Sequence, residues 1–200
     1  LEGRYYPSKE PNAPLALLLH PHPQHGGTMK NKVVYSLYQV FTKRGFSTLR
    51  FNFRGVGRSQ GKFDNGQGEL SDAASALDWM QSQNPNTSGC WIAGFSFGAW
   101  VAMQLMMRRP EIEGFIAVSP PANMYDFSFL APCPASGMII HGSNDEVIPQ
   151  NSVEKLTQKL QKQKNIVIDY RKIEGSDHFL SNHLDTLSSH AEEYLGKALA

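Results

Sequence analysis

Three side chains far apart in the chain have the types and the order that acyl transfer needs. Ser96 lies in Gly94-Phe-Ser-Phe-Gly98, Asp145 in His141-Gly-Ser-Asn-Asp-Glu-Val-Ile-Pro149, and His178 in Gly175-Ser-Asp-His-Phe179. A serine hydroxyl is a weak nucleophile until a base takes its proton, and the base needs an acid to orient it. A bare Gly-x-Ser-x-Gly has a plainer use, as a turn whose serine caps a helix. The flanks favour the nucleophile. An apolar CWIA stretch precedes the segment and AWVAMQLMMRR follows it, the strand–turn–helix setting that pushes a serine up on a strained turn. A serine there also meets the N–H groups of a helix start, which favour developing negative charge.

Asp145 as a turn residue, or His178 as a surface loop histidine, would be unremarked singly. Together they complete the order serine, acid, histidine, each just beyond an apolar run, GMIIH before one and IVIDYRKI before the other. Glu146 and Asp177 compete for the acid's role. Glu146 is one residue further along its loop and would point another way, and Asp177 adjoins His178, where neighbouring side chains rarely face each other. Asp145 is the expected partner.

These loops need a scaffold, and the rest of the chain supplies one. Strands are expected at Leu15–His20, Phe46–Phe53, Gly89–Phe95, Gly114–Ser119, Gly137–His141 and Ile166–Ile173. Helices are expected at Lys30–Arg44, along the Leu70–Met80 stripe with Ser71 as its cap, and at Phe97–Arg109, Asn151–Lys162 and Asn182–Leu199. This alternation predicts a single α/β domain over residues 1–200, a mostly parallel sheet with helices on both faces. In such sheets ligands bind beyond the carboxyl ends of the strands, where all three residues fall.

Composition narrows the classes. The 200 residues carry 19 basic and 18 acidic side chains, a net charge of +1 with no basic block, so neither nucleic acid nor an anionic membrane is an expected partner. No apolar run approaches the roughly 18–20 residues of a membrane span. Two cysteines, Cys90 and Cys133, are too few for a disulfide framework and fit a reducing cytoplasm. Cys90 is expected in a buried strand and Cys133 in an accessible Pro-Cys-Pro loop. The chain opens on Leu1 rather than Met, so its natural start is expected upstream.

The segments LLLHPHPQHGG, RFNFRGVGRS, GFSFG, HGSNDEVIP and GSDHF, spread from Leu15 to Phe179, give a family resemblance. The chain resembles the α/β-hydrolase family, in the small lidless branch of dienelactone-hydrolase-like and bacterial esterase-like proteins. The resemblance implies an α/β-hydrolase fold without a cap domain, with Ser96 as nucleophile, His178 as base and Asp145 as its orienter. It also implies an oxyanion hole from the Phe97 N–H and from one N–H of the loop His20–Gly27. Pro21 and Pro23 have none to give, which leaves His22 first and Gln24 second. Dienelactone hydrolases proper carry cysteine at the elbow, so their substrate does not transfer to Ser96.

Arg54-Gly-Val-Gly-Arg-Ser59 fails the phosphate-loop spacing and is read as a structural turn. Trp100, Met103, Met106 and Met107 are read as helix core. Pro120–Ala135 is too short for a helical lid, so the site should be open, bordered by Phe95, Phe97, Met124, Tyr125, Phe127, Phe129 and Leu130. The expected activity is hydrolysis of a small or medium carboxylic ester, with no cofactor; thioesters and small amides could use the same groups. Two other classes compete. His20, His22 and His25 resemble the H-x-H-x-D-H metal loop of metallo-β-lactamase-like hydrolases, with Gln24 where that loop needs Asp. A binding protein that keeps the pocket without turnover is the other. Oligomeric state is not legible.

Overall fold

The computed structural model describes residues 1–200. In chain order the elements are β1 (Gly3–Tyr6), β2 (Leu15–Leu19), α1 (Lys32–Lys43), β3 (Ser47–Phe51), α2 (Gln67–Gln83), β4 (Cys90–Phe95), α3 (Phe97–Arg108), β5 (Ile112–Val118), β6 (Ser136–Gly142), α4 (Gln150–Gln161), β7 (Ile168–Ile173) and α5 (Leu184–Ala198). The seven strands form one sheet in the order β1-β3-β2-β4-β5-β6-β7. All neighbours are parallel except β1, which pairs antiparallel with β3 in the register Gly3↔Phe51 to Tyr6↔Thr48.

Strands β2 and β4 are buried at every residue because both faces of the sheet are covered. Their side chains alternate between two cores. Leu15, Leu17, Leu19, Cys90 and Ile92 point to the larger, which α2, α3 and α4 close with residues such as Leu77, Met103, Met106 and Leu156. Ala16, Leu18, Trp91, Ala93 and Phe95 point to the smaller, closed by α1 and α5 through Val34, Leu37, Phe41, Leu187 and Leu195. Three helices on one face against two on the other explains the difference in size.

Three expectations are corrected. The GRYY segment, ahead of the first strand expected above, is the edge strand β1. Ser71 does not cap α2. The helix begins a turn earlier after Gly66, held in the left-handed region at φ 95°, where the Glu69 carboxylate accepts the Gly66 N–H at 2.8 Å. Ser71 sits inside the helix and its hydroxyl bonds Gln67 O. Cys133 is buried, not accessible; its thiol bonds Ala135 O at 3.3 Å, and burial pushes its pKa up.

Candidate active site

Ser96 joins β4 to α3 with φ 54° and ψ −120°, a conformation that costs a non-glycine residue about 1–3 kcal/mol. Its side chain makes no capping bond, so the helix-cap reading fails. The flanking glycines explain how so tight a turn closes. A Cβ on Gly94 would run into Gly98 O, and one on Gly98 would run into Leu19 O. The elbow is anchored below by Ser96 N–H on Val118 O at 2.9 Å.

The Asp145 and His178 loops follow adjacent strands and are stapled by backbone. Asn144 N–H donates to Ser176 O at 2.9 Å, Ser143 N–H to Ile173 O at 3.0 Å, and Gly175 N–H to Ser143 Oγ at 2.7 Å. Gly142 has to be glycine here, since a Cβ would meet Ser176 O. Within this frame His178 Nδ1 lies 2.7 Å from Asp145 Oδ2. The carboxylate can only accept, so Nδ1 carries the proton and Nε2 keeps its lone pair. Asp145 Oδ1 is fixed by the N–H groups of Val147 at 2.8 Å and Ile148 at 2.7 Å. The fully buried His141 stands 3.7 Å from Oδ2, its Nε2 donating to Ile148 O, and burial lowers its pKa.

The rival acids are turned elsewhere. Asp177 accepts from the Ser181 N–H and hydroxyl, which hold its pKa down, and Glu146 is exposed. His178 rests against the Phe95 ring, centroids 5.1 Å apart, which brings it beside the residue preceding Ser96.

The two residues expected to supply the oxyanion donors pack side by side through their rings. The His22 ring packs on the Phe97 ring at 5.0 Å, and neither residue's N–H is engaged by another backbone carbonyl. Phe97 is the first residue of α3, where an N–H has no intrahelical acceptor. Gln24, the second choice for the loop donor, spends its N–H on His22 Nδ1 at 3.1 Å. Burial and the neighbouring His25 lower the His22 pKa. His20 does not join a ligand set. Both its ring nitrogens are committed, Nδ1 to Pro21 O at 2.7 Å and Nε2 to Phe53 N–H at 3.1 Å.

The residues expected at the rim differ in exposure. Phe95 is 0% exposed in the smaller core and backs His178 rather than facing solvent. Phe127 is buried in the larger core and stacks on the half-buried Phe129 at 6.0 Å, while Leu130 and Phe97 are buried too. Met124 is exposed, and Tyr125 stacks on Trp100 at 4.1 Å with its ring centroid 6.1 Å from that of Phe97. Phe63 and Phe179 were not expected near the site, and Trp100, expected in the helix core, is only half-buried. Phe63 lies 4.9 Å from the His22 ring, Trp100 lies 5.8 Å from Phe97, and Phe179 is 54% exposed with its ring 5.1 Å from His178. Phe179 carried a readable signal, a large apolar residue directly after the candidate base. No helix covers the 120–135 segment. Arg54 in the glycine-rich loop is clamped to Asp72 on α2 at 3.0 Å.

Comparison with known proteins agrees with this architecture. The family model described as X-Pro dipeptidyl-peptidase (S15 family) matches residues 4–135. The crystal structure of ATU1826 from Agrobacterium tumefaciens, a candidate α/β hydrolase of unknown function, superposes with TM-score 0.97 at 60% identity, covering 98% of this chain and 90% of that one. XC6422 from Xanthomonas campestris, an α/β serine hydrolase without a lid, superposes with TM-score 0.87 at 30% identity over 98% of this chain and 88% of its own. The Rickettsia prowazekii protein RP471 is 54% identical over 98% of this chain and 84% of its own length. No helix is long and apolar enough to cross a membrane. With a hydrolase family model over most of its length and a lidless serine hydrolase among its structural neighbours, the chain belongs to the α/β-hydrolase family, in its small lidless branch.

Proposed function

We propose that this hydrolase cleaves a small or medium carboxylic ester through an acyl-enzyme on Ser96. The observation that carries the reading is the 2.7 Å bond between Asp145 Oδ2 and His178 Nδ1, which leaves Nε2 free to act as a base, on a ring that rests against Phe95, the residue before the strained Ser96. Ser96 Oγ attacks the ester carbonyl carbon while His178 Nε2 takes its proton. Asp145 stabilises the imidazolium that forms, and the Phe97 and His22 N–H groups receive the negative oxygen. The C–O bond to the alcohol breaks as His178 returns the proton to the leaving oxygen. Water, deprotonated by the same nitrogen, then attacks the acyl carbon, the bond to Ser96 Oγ breaks to release the acid, and His178 returns the proton to Oγ.

The size class follows from the rim. Met124, Tyr125, Phe63 and Phe179 offer apolar edges without a lid, suited to an acyl group held along one face. The fully committed His20 ring argues against a three-histidine metal site as the seat of the chemistry.

Turnover of p-nitrophenyl acetate and butyrate, with fluorophosphonate labelling, tests the proposal. Wild type is expected to turn over and to label. Ser96→Ala is expected to lose labelling and at least about 10⁴-fold in kcat. An unlabelled, inactive wild type would instead favour the binding-protein reading, and undiminished turnover in Ser96→Ala would move the chemistry off the serine.

A further inference from the structure

His20 is a buried titratable group that the proposed mechanism does not use. It is 0% exposed at the end of β2, edge-on to the Phe53 ring at 4.7 Å. Its two nitrogens face partners of opposite kind. The Phe53 backbone N–H, 3.1 Å from Nε2, can only donate, and Pro21 O, 2.7 Å from Nδ1, can only accept. One tautomer satisfies both, with the proton on Nδ1 and the lone pair on Nε2.

The carbonyl that Nδ1 holds is half of a peptide unit. Its other half is the His22 N–H, the group assigned above to the oxyanion. The Pro21–His22 bond is trans, so its C=O and N–H point in opposite directions from one rigid plane. Fixing the oxygen therefore fixes the line along which the N–H projects. The far end of the same loop closes the other side. Gly27 packs so tightly on Pro21 O that a Cβ there would collide with it, and the Gly27 N–H bonds His22 O at 3.0 Å.

We infer that His20 is the positioning residue of the oxyanion hole: its Nδ1–H grips Pro21 O and thereby aims the His22 N–H at the substrate oxygen. The inference rests on the serine-hydrolase reading, because only in that reading does the His22 N–H have an oxyanion to meet. It assigns the first histidine of the His20-Pro-His-Pro segment neither to metal nor to proton transfer, but to the direction of a backbone dipole.

Two substitutions separate the two ring contacts. His20→Asn places an amide N–H near the Nδ1 position and keeps the grip on Pro21 O, while losing the Phe53 contact. His20→Gln places an amide oxygen near the Nε2 position and keeps the Phe53 contact, while losing the grip. With p-nitrophenyl butyrate, His20→Gln is expected to lose roughly 10–100-fold in kcat with KM within about threefold. A boronic acid that mimics the tetrahedral state should lose affinity in parallel. His20→Asn is expected to stay within about fivefold of wild type on both measures.

Equal losses in the two variants, or losses that simply follow their melting temperatures, overturn the inference. If neither variant folds, ring nitrogen NMR of the wild type decides: a proton on Nδ1 supports the assignment and a proton on Nε2 overturns it. Fluorophosphonate labelling of wild type keeps the two failures apart. An unlabelled wild type brings down the serine reading and this inference with it, whereas a labelled, active wild type with indistinguishable Gln and Asn variants brings down the inference alone.

Discussion

The two arms of the site are held by different physics. On the side of β6 and β7, a carboxylate lies at the centre: Asp145 gathers two backbone N–H groups and His178, and the supporting loops are stapled to each other through main chain. On the side of β2 and β3, the centre is a neutral ring: His20 bridges the Pro21 carbonyl and the Phe53 amide, and no charge takes part. In the proposed mechanism the first arm holds a charge in place for the moment an imidazolium forms. The second holds a direction, that of one peptide plane. Each should therefore fail under a different insult, the first to loss of charge and the second to loss of orientation.

The largest test removes the charge and keeps the shape. In Asp145→Asn the amide oxygen can still accept from Val147 and Ile148, so the melting temperature should stay near wild type. The amide can instead donate to His178 Nδ1 and favour the wrong tautomer, and kcat should fall roughly 10³–10⁴-fold. A loss under tenfold would mean that the first arm, like the second, works by geometry alone.

A smaller effect is expected where the arms meet. Gly98 sits on α3 against Leu19 O and His20 O, so Gly98→Ala must push the elbow helix off the end of β2. Destabilisation of about 2–3 kcal/mol is expected, read as a lower urea midpoint. An unchanged midpoint would show that the two arms are not rigidly joined there.

The smallest effect is on acid stability. Burial drives the His20 pKa down from 6.5 to about 4, with the bond to Pro21 O opposing the shift. The folded state thus resists a proton that the unfolded chain accepts below about pH 6.5. The stabilisation is full above that value and is lost as pH falls towards 4. His141, lowered mainly by burial, adds to the same loss, with Asp145 and Glu154 opposing it and His178 reinforcing it. Urea midpoints between pH 7 and 4 should decline more steeply for wild type than for His20→Asn. Parallel curves would remove the neutral ring as the basis of the second arm.

Much of the first arm could be read in the sequence, because its chemistry depends on residue type and chain order. Gly94–Gly98, Asp145 and His178 each follow an apolar strand, and strand, turn and helix leave strong local patterns. Less of the second arm was legible. His20 reads as one of three histidines in a ligand set, and only the contacts to Pro21 O and to the Phe53 N–H, just beyond the end of neighbouring β3, show it to be fully committed. The rim was misjudged for a similar reason. Phe95 and Phe127 differ from Met124 and Phe179 in burial rather than in type, and burial is decided by elements distant in the chain. Strand β1 escaped notice because four residues with alternating exposure carry little signal until β3 offers an edge.

The order β1-β3-β2-β4-β5-β6-β7 sets Ser96 after the middle strand and His178 after the strand at one border. Borders of a sheet open first, and amide hydrogens exchange fastest there, while central strands stay closed until the whole domain unfolds. The proposed nucleophile and base thus live in regions of unequal local stability. Fraying of β7 would carry His178 away from Asp145 while Ser96 stays set in its turn. On warming, turnover should vanish some degrees before circular dichroism registers unfolding and should return on cooling from that interval, so that the border strand acts as a thermal fuse for the chemistry.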